Sequence, residues 1–379
     1  MFDVAIIGAG PVGLLLGSLL LDLGCSVVIL EARRDPPSHS RAIGIHPPAL
    51  AVLRRAGVLE AVLQQSVQIS NGKAFSRGRM LGELSFDIPG APYPFVVSIP
   101  QFCTQSILES AFMQRSGGVL LRGHRVTRLT RYGEHIVLGC AQEDTTGGPR
   151  DIAARFVVGA DGPHGMTRGA AHAHTLQRDY PDSYVMGDFK DGSGLGNLAS
   201  IFLEDGGVVE SFPLPKNQRR WVAHWGRTHA PRTAEGLAEV IFSRTGYSVD
   251  VSSSTMLSSF RPRCRIVRHT VGDRVVLVGD AAHEISPMGG QGMNLGWLDA
   301  EVMSEGIAHF LETGEKDALM RAGSGRVVAA QRAARLAGFN MRLGRPVGWV
   351  RGTVRNTVIG VLARGALRDS AARLFSMQG

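Results

Sequence analysis

The segment Phe2-Asp3-Val4-Ala5-Ile6-Ile7-Gly8-Ala9-Gly10-Pro11-Val12-Gly13 decides how the rest of the chain is read. Its first half is a short apolar run bounded by glycine, the pattern of a strand buried in a parallel sheet. Three glycines spaced G-x-G-x-x-G follow. An apolar helix then runs to about Leu23, where Gly24 stops it. Ser26 to Leu30 makes a second strand ending in Glu31, 18 residues past the last glycine. Each part has a task in a dinucleotide site. Gly8 permits the tight turn, Gly10 lets backbone approach a pyrophosphate, and Gly13 allows close helix–strand packing. Glu31 suits an adenosine ribose, and its charge repels a 2′-phosphate.

Length and charge bound the rest. A chain of 379 residues predicts about two domains' worth of core. The net charge of +8 is lopsided, because residues 321–379 hold eleven Arg, no Lys and one acid, Asp369. That tail carries +10 and leaves −2 for everything before it. A uniform nucleic-acid-binding surface is therefore not expected. Cys25, Cys103, Cys140 and Cys264 lie far apart and read as reduced thiols in a cytoplasmic protein. No metal is expected, since His172 and His174 have no acid completing a ligand set. No secretory signal is read, because Phe2 to Ile7 is already a strand. Leu14 to Leu23 is too short to span a bilayer.

Two further strand ends carry acids. Phe156-Val157-Val158-Gly159-Ala160-Asp161-Gly162 is one, with Arg168 soon after. The other is Val275-Val276-Leu277-Val278-Gly279-Asp280, followed by Ala281-Ala282-His283 and a Pro/Gly-rich loop from Pro287 into a helix opening near Met293. The free N–H groups of such a helix face something electron-rich. Between these signatures, Ser183 to Trp225 alternates as an antiparallel sheet, with turns at Asp205-Gly206-Gly207 and Lys216-Asn217. A helix from Thr104 to Arg115, capped by Thr104 or a neighbour, follows Ile99-Pro100-Gln101. The tail predicts helices around 326–341 and 353–375, interrupted at Gly344-Arg345-Pro346.

Gly8–Gly13 with Glu31, Ser40-Arg41-Ala42, Gly159-Ala160-Asp161-Gly162 and Gly279-Asp280-Ala281-Ala282-His283 together resemble the single-component FAD-dependent monooxygenases of the para-hydroxybenzoate hydroxylase type. The resemblance covers residues 2 to about 300. It implies an α/β fold: a Rossmann-like FAD-binding domain with an inserted antiparallel β-sheet substrate domain and C-terminal helices. The expected divisions are 1–73, 100–175 and 266–300 for FAD, 74–99 and 176–265 for substrate, and 301–379 for the helices. It further implies non-covalent FAD held by Gly8, Gly10, Pro11, Val12, Gly13, Glu31, Ala32, Arg33, Arg41, Gln101, Val126, Asp161, Gly162, Gly279 and Asp280. Pro287, Gly289 and Gly290 would present backbone to the reacting flavin, and Gly292, Met293 and Asn294 would meet its pyrimidine end. NAD(P)H is the implied reductant. Reduced flavin would capture O2 as a C4a-hydroperoxide and hydroxylate a phenolic, aromatic or polyketide-like small molecule. Gly165 and Gln105 depart from the family's usual serine and glutamate, which bears on how a nicotinamide is engaged.

Several residues have two readings. Arg41 clamps a phosphate or flavin edge, or lies on the surface. His283 is a general base or a structural hydrogen-bonding group. Phe202, Phe212, Pro213, Trp221 and Trp225 line a substrate cavity or pack in the core. The Trp221–Trp225 spacing does not match the Trp-x-Trp of flavin halogenases. The arginine tail is a solvated helix face or a peripheral contact with the inner membrane surface, because Val350, Val354 and Val358 alternate with arginines. A monomer or homodimer is expected. An FAD-dependent reductase or a non-catalytic flavin-binding protein is the competing functional class.

Overall fold

The structure is a computed structural model, and it describes residues 1–36, 42–88, 90–142, 150–171, 173–226, 233–362 and 367–378. Ser40, Arg41 and His172 lie outside the described residues.

Phe2–Ile7 sits at the centre of a seven-stranded sheet. It pairs in parallel with Val27–Glu31 on one side and Arg150–Gly159 on the other. Gly118–Arg122 extends the sheet beyond Val27–Glu31, and Val275–Leu277 runs parallel to Arg150–Gly159. The hairpin of His124–Tyr132 and His135–Gln142 closes the far side. The three acid-bearing strand ends, Glu31, Asp161 and Asp280, therefore emerge along one edge of parallel strands, where α/β folds bind ligands.

Helix Pro11–Asp22 is apolar almost all round because it is enclosed by the sheet and by helices Gln101–Met113 and Gln291–Thr313. Leu14, Leu15, Leu16 and Leu20 are fully buried there, each contributing roughly 1.5–3 kcal/mol. Helix Gln101–Met113 starts three residues earlier than the Thr104 cap predicts. The Pro100 carbonyl accepts the N–H groups of Cys103 and Thr104, and Thr104 is buried inside the first turn.

The second seven-stranded sheet runs in the order Met256–Phe260, Ser183–Lys190, Gln218–Gly226, Gly207–Leu214, Ala199–Glu204, Asn71–Ser76 and Arg79–Ser85. Its pairs are antiparallel except Ala199–Glu204 with Asn71–Ser76, which is parallel. That strand arrives from the nucleotide half of the chain rather than through a hairpin, so its direction is free of hairpin constraint. Residues 74–99 divide between sheets. Val96–Ser98 pairs with Gly44–Ile45 and Val67–Ile69 in a separate ribbon. At the hairpin tip, Lys216 (φ 60°) and Asn217 (φ 54°) are both left-handed, as a tight two-residue turn requires.

One face of this sheet packs under helix Ala234–Thr245, with Val185, Phe189, Phe202, Val209, Trp221 and Ala223 against Leu237 and Ile241. The other face looks toward the first domain. Helices Asp317–Leu343, Trp349–Leu362 and Leu367–Phe375 follow, with the break at Gly344-Arg345-Pro346 where the sequence predicts it. Two tail arginines anchor rather than face solvent. Arg345 donates to both oxygens of buried Asp182, and Arg355 donates to the carbonyls of Leu203 and Leu343. Trp349, Val350, Val354 and Val361 stay exposed. Among the described residues, no helix is long and apolar enough to cross a membrane.

Candidate flavin and substrate site

A cavity of about 1750 Å³ runs from the Gly8–Val12 turn, past the 279–293 loop, to the inner face of the second sheet. Two helices begin at its wall without a side-chain cap: Pro11–Asp22 after Gly10, and Gln291–Thr313 after Gly290. Their first N–H groups are free to meet a ligand.

The glycine turn is closed on its protein side and open on the cavity side. A Cβ on Gly8 would collide with the Ala160 carbonyl, and one on Gly13 with the Gly8 carbonyl. A Cβ on Gly10 would meet nothing within 4 Å. That open cradle at a helix N-terminus fits a pyrophosphate, and the donor set here is backbone. Glu31 has a second task that its spacing does not reveal. Its carboxylate accepts the N–H groups of Ala9 and Arg33, both at 2.9 Å, which bends the turn toward the strand end. A carboxylate has further lone pairs for a ribose. Gln105 completes the brace by donating to the Ala9 carbonyl at 2.9 Å. The amide at this family departure thus holds the turn from beneath. Ala32, Arg33, Gln101 and Val126 line the same end of the cavity.

Asp161 and Gly162 also line the cavity, but the Asp161 carboxylate accepts the Thr167 N–H and hydroxyl. It anchors the short helix Thr167–Ala170. A Cβ on Gly165 would overlap that carboxylate, which is the steric reason for glycine at the second departure. Arg168 donates to the carbonyls of Asp280 (2.6 Å), Ala281 (3.0 Å) and Pro163 (3.3 Å). It ties the Asp161 loop to the Asp280 turn. Asp280 itself opens into the cavity. The surrounding protein and Glu284 raise its carboxyl above the ordinary carboxylate range, against the pull of His283 and Arg168.

The 287–294 loop is shaped by Gly289 (φ 98°) and Gly290 (φ 66°), conformations that disfavour any side chain. Pro287, Gly289, Gly290, Gly292 and Met293 all line the cavity. Asn294 works through its side chain, which is fully buried and donates to the carbonyls of Gly290 (2.7 Å) and Gly44 (3.0 Å). It also accepts the His46 N–H at 2.8 Å. The His46 ring lies 3.2 Å from the Gly289 carbonyl, and burial pushes its pKa down to about 4. A neutral Nε2–H donor therefore pins the loop. Trp297 donates to the Pro11 carbonyl at 3.1 Å, so the two open helix starts are directly joined.

His283 is not a base facing the cavity. Its ring is buried against Asp299, which also takes Arg326 and the Gly279 N–H. Burial opposes a charge on His283, but Asp299 outweighs it and holds the imidazolium, while its own carboxyl is held low. The pair fixes the Gly279-Asp280 turn from behind. Among the aromatic candidates, Phe212 lines the cavity and the others do not. Phe202 stacks on Phe75 and Trp221, Trp225 packs with that outer cluster, and the Pro213 carbonyl accepts from Ser98. Strand alternation decides this: residues 208, 210 and 212 face inward, so 209, 211 and 213 face outward. No cluster of metal-ligating side chains occurs among the described residues.

Known proteins resemble the chain in both sequence and shape. It is 30% identical over 308 residues to an uncharacterized aromatic compound monooxygenase of Bacillus subtilis, covering 79% of this chain and 60% of that protein. It is 28% identical over 307 residues to a rifampicin monooxygenase of Streptomyces venezuelae, covering 79% and 62%. The chain thus spans about three fifths of the length of these relatives. The crystal structure of p-nitrophenol 4-monooxygenase from Pseudomonas putida superposes with a TM-score of 0.89 at 20% identity, over 100% of this chain and 98% of that one. CabE, an aromatic hydroxylase from angucycline biosynthesis, superposes at 0.79 with 26% identity, covering 99% and 76%. The family profile described as FAD binding domain matches residues 1–337, and the chain belongs to that family.

Proposed function

We propose that the protein is an FAD-dependent monooxygenase that uses NAD(P)H and O2 to hydroxylate a phenolic or polyketide-like ring. The observation that carries this reading is the continuous cavity. At about 1750 Å³ it exceeds the roughly 300–1,000 Å³ of pockets for one drug-sized ligand. It offers a backbone cradle at one end and an apolar sheet face at the other, which suits a dinucleotide and a ring substrate together.

Bound flavin supplies the redox and oxygen chemistry. The chain's part is to bind, orient and exclude water. The Gly8–Gly13 turn and the start of helix Pro11–Asp22 hold phosphate. Asp280 is suited to a ribityl hydroxyl. The start of helix Gln291–Thr313 directs N–H groups and a positive dipole end at the 287–293 loop, favouring negative charge there. His46 and Asn294 keep that loop in one shape. The names of the relatives above support a ring substrate.

The test is oxygen uptake by the flavin-loaded protein with NADH or NADPH and a panel of phenols. Uptake stimulated by one phenol, with oxygen from labelled gas in the product, is expected. The same product formed without oxygen would instead mark a reductase. Asp280→Ala is expected to fold and to lose bound yellow cofactor on gel filtration. Full flavin occupancy in that variant would remove Asp280 from the cofactor site.

A further inference from the structure

The inner face of the second sheet is largely apolar, and on its central strands the charged residues lining the cavity are Arg220 and Glu210. Across it runs a row of paired residues, Ile201–Glu210–Val222–Met186, each partnered with the next in register. All four line the cavity. Leu203, Val208 and Phe212 flank the row on the same face. Glu210 therefore puts a carboxylate in the middle of an apolar floor. Among the described residues, no hydrogen bond or ion pair to that carboxylate is present.

The other charged groups on the elements packed around it are engaged, while the buried Tyr184 hydroxyl has no hydrogen-bond partner among the described residues. Arg220 forms a close two-point pair with Asp188. Asp182 takes His224 and Arg345, and Arg355 is spent on two carbonyls. Burial holds the Tyr184 phenol neutral, and Asp182 and Glu210 add to that. Glu210 is part-buried at the cavity wall, and an unpaired carboxylate in such an apolar setting carries a desolvation cost that a ligand's hydrogen bond would offset.

We propose that Glu210 is the substrate's polar anchor and proton acceptor, taking the hydrogen of a hydroxyl carried on an otherwise apolar ring. The assignment rests on the ring-hydroxylase reading and names its substrate class, a phenol with apolar flanks. The step balances without redox change. The O–H bond of the substrate breaks, its electron pair stays on the oxygen as phenolate, and the proton forms a new O–H bond on the carboxylate. A phenolate oxygen makes its ring more electron-rich at the positions that an electrophilic oxygen attacks. Burial alone pushes the Glu210 carboxyl up to about 7, where it can both hold and release a proton near neutrality.

Two probes of like ring and different oxygen test this on the flavin-loaded protein: 2-naphthol and 2-methoxynaphthalene, titrated through the change in flavin absorbance. Wild type is expected to prefer the naphthol by about tenfold or more above neutral pH, the worth of a hydrogen bond to a charged group. The preference should shrink as pH falls through about 7, because a protonated carboxyl can also donate to the ether. Glu210→Gln should retain a weak preference with no pH dependence. Glu210→Met should lose it at every pH while binding the ether as wild type does above neutral pH, which shows the cavity intact. A naphthol preference surviving in Glu210→Met, or a pH profile surviving in Glu210→Gln, would overturn the assignment and leave the hydroxylase reading standing. Naphthol discrimination as expected, with no phenol-stimulated oxygen uptake, would support the anchor and remove the hydroxylase reading.

Discussion

Gly13→Val is expected to yield a protein without flavin and with a lowered melting temperature. A Cβ at this position would collide with the Gly8 carbonyl and press on the Ala160 Cβ. Neither group is the flexible end of a side chain, so backbone must move. Overpacking of a close-packed core costs roughly 1–3 kcal/mol. The cofactor loss should be larger than that, because the shift opens the turn whose N–H groups face the cavity. Flavin released by denaturation, measured against protein concentration, reads the first effect, and a thermal melt of the cofactor-free protein reads the second. Normal flavin content would show that the turn relaxes elsewhere and that the close approach does not govern binding.

Asp299→Ala should be the most destabilising single change away from the glycine turn, at about 3–5 kcal/mol. It leaves buried His283 and part-buried Arg326 together without their carboxylate and removes the acceptor of the Gly279 N–H. The pH dependence should change sign. In wild type the raised His283 pKa contributes stability that is complete below its ordinary value of about 6.5 and is lost as pH rises through the folded value. The depressed Asp299 contributes above the ordinary carboxylate value of about 3.9 and loses it as pH falls through the folded value. The window of full stabilisation therefore lies between those two values. Without Asp299, burial and Arg326 both disfavour the imidazolium. Stability should then rise as pH increases through about 6.5. Urea midpoints across this range test the point, and parallel curves for the two proteins would exclude His283–Asp299 pairing as their cause.

Local chemistry made much of the nucleotide half legible. The strand–glycine–helix order, the distance to Glu31, the two later strand ends and the paired glycines at 289 and 290 each follow from backbone requirements that only certain residues meet. The break at Gly344-Arg345-Pro346 is of the same kind. The supports of the site were not legible. Gln105, His46, Trp297 and Asp299 act on residues far away in sequence, such as Ala9, Gly289, Pro11 and His283, and no local spacing encodes those pairs.

The substrate face marks the boundary most clearly. Alternation along residues 207–214 and 218–226 establishes that odd and even positions point opposite ways. Both sets contain large apolar residues, so the pattern alone cannot say which set meets the cavity. Helix Ala234–Thr245 decides it by covering the face that bears Phe202 and Trp221, leaving Glu210 and Phe212 on the open side. The sequence by itself determined the glycine turn and the strand–turn–helix–strand succession around it, because those depend on the conformations that glycine, proline and short apolar runs allow. The tertiary structure alone decided which side chains share the cavity and which brace it from behind, because that depends on which faces the packing of distant elements leaves uncovered.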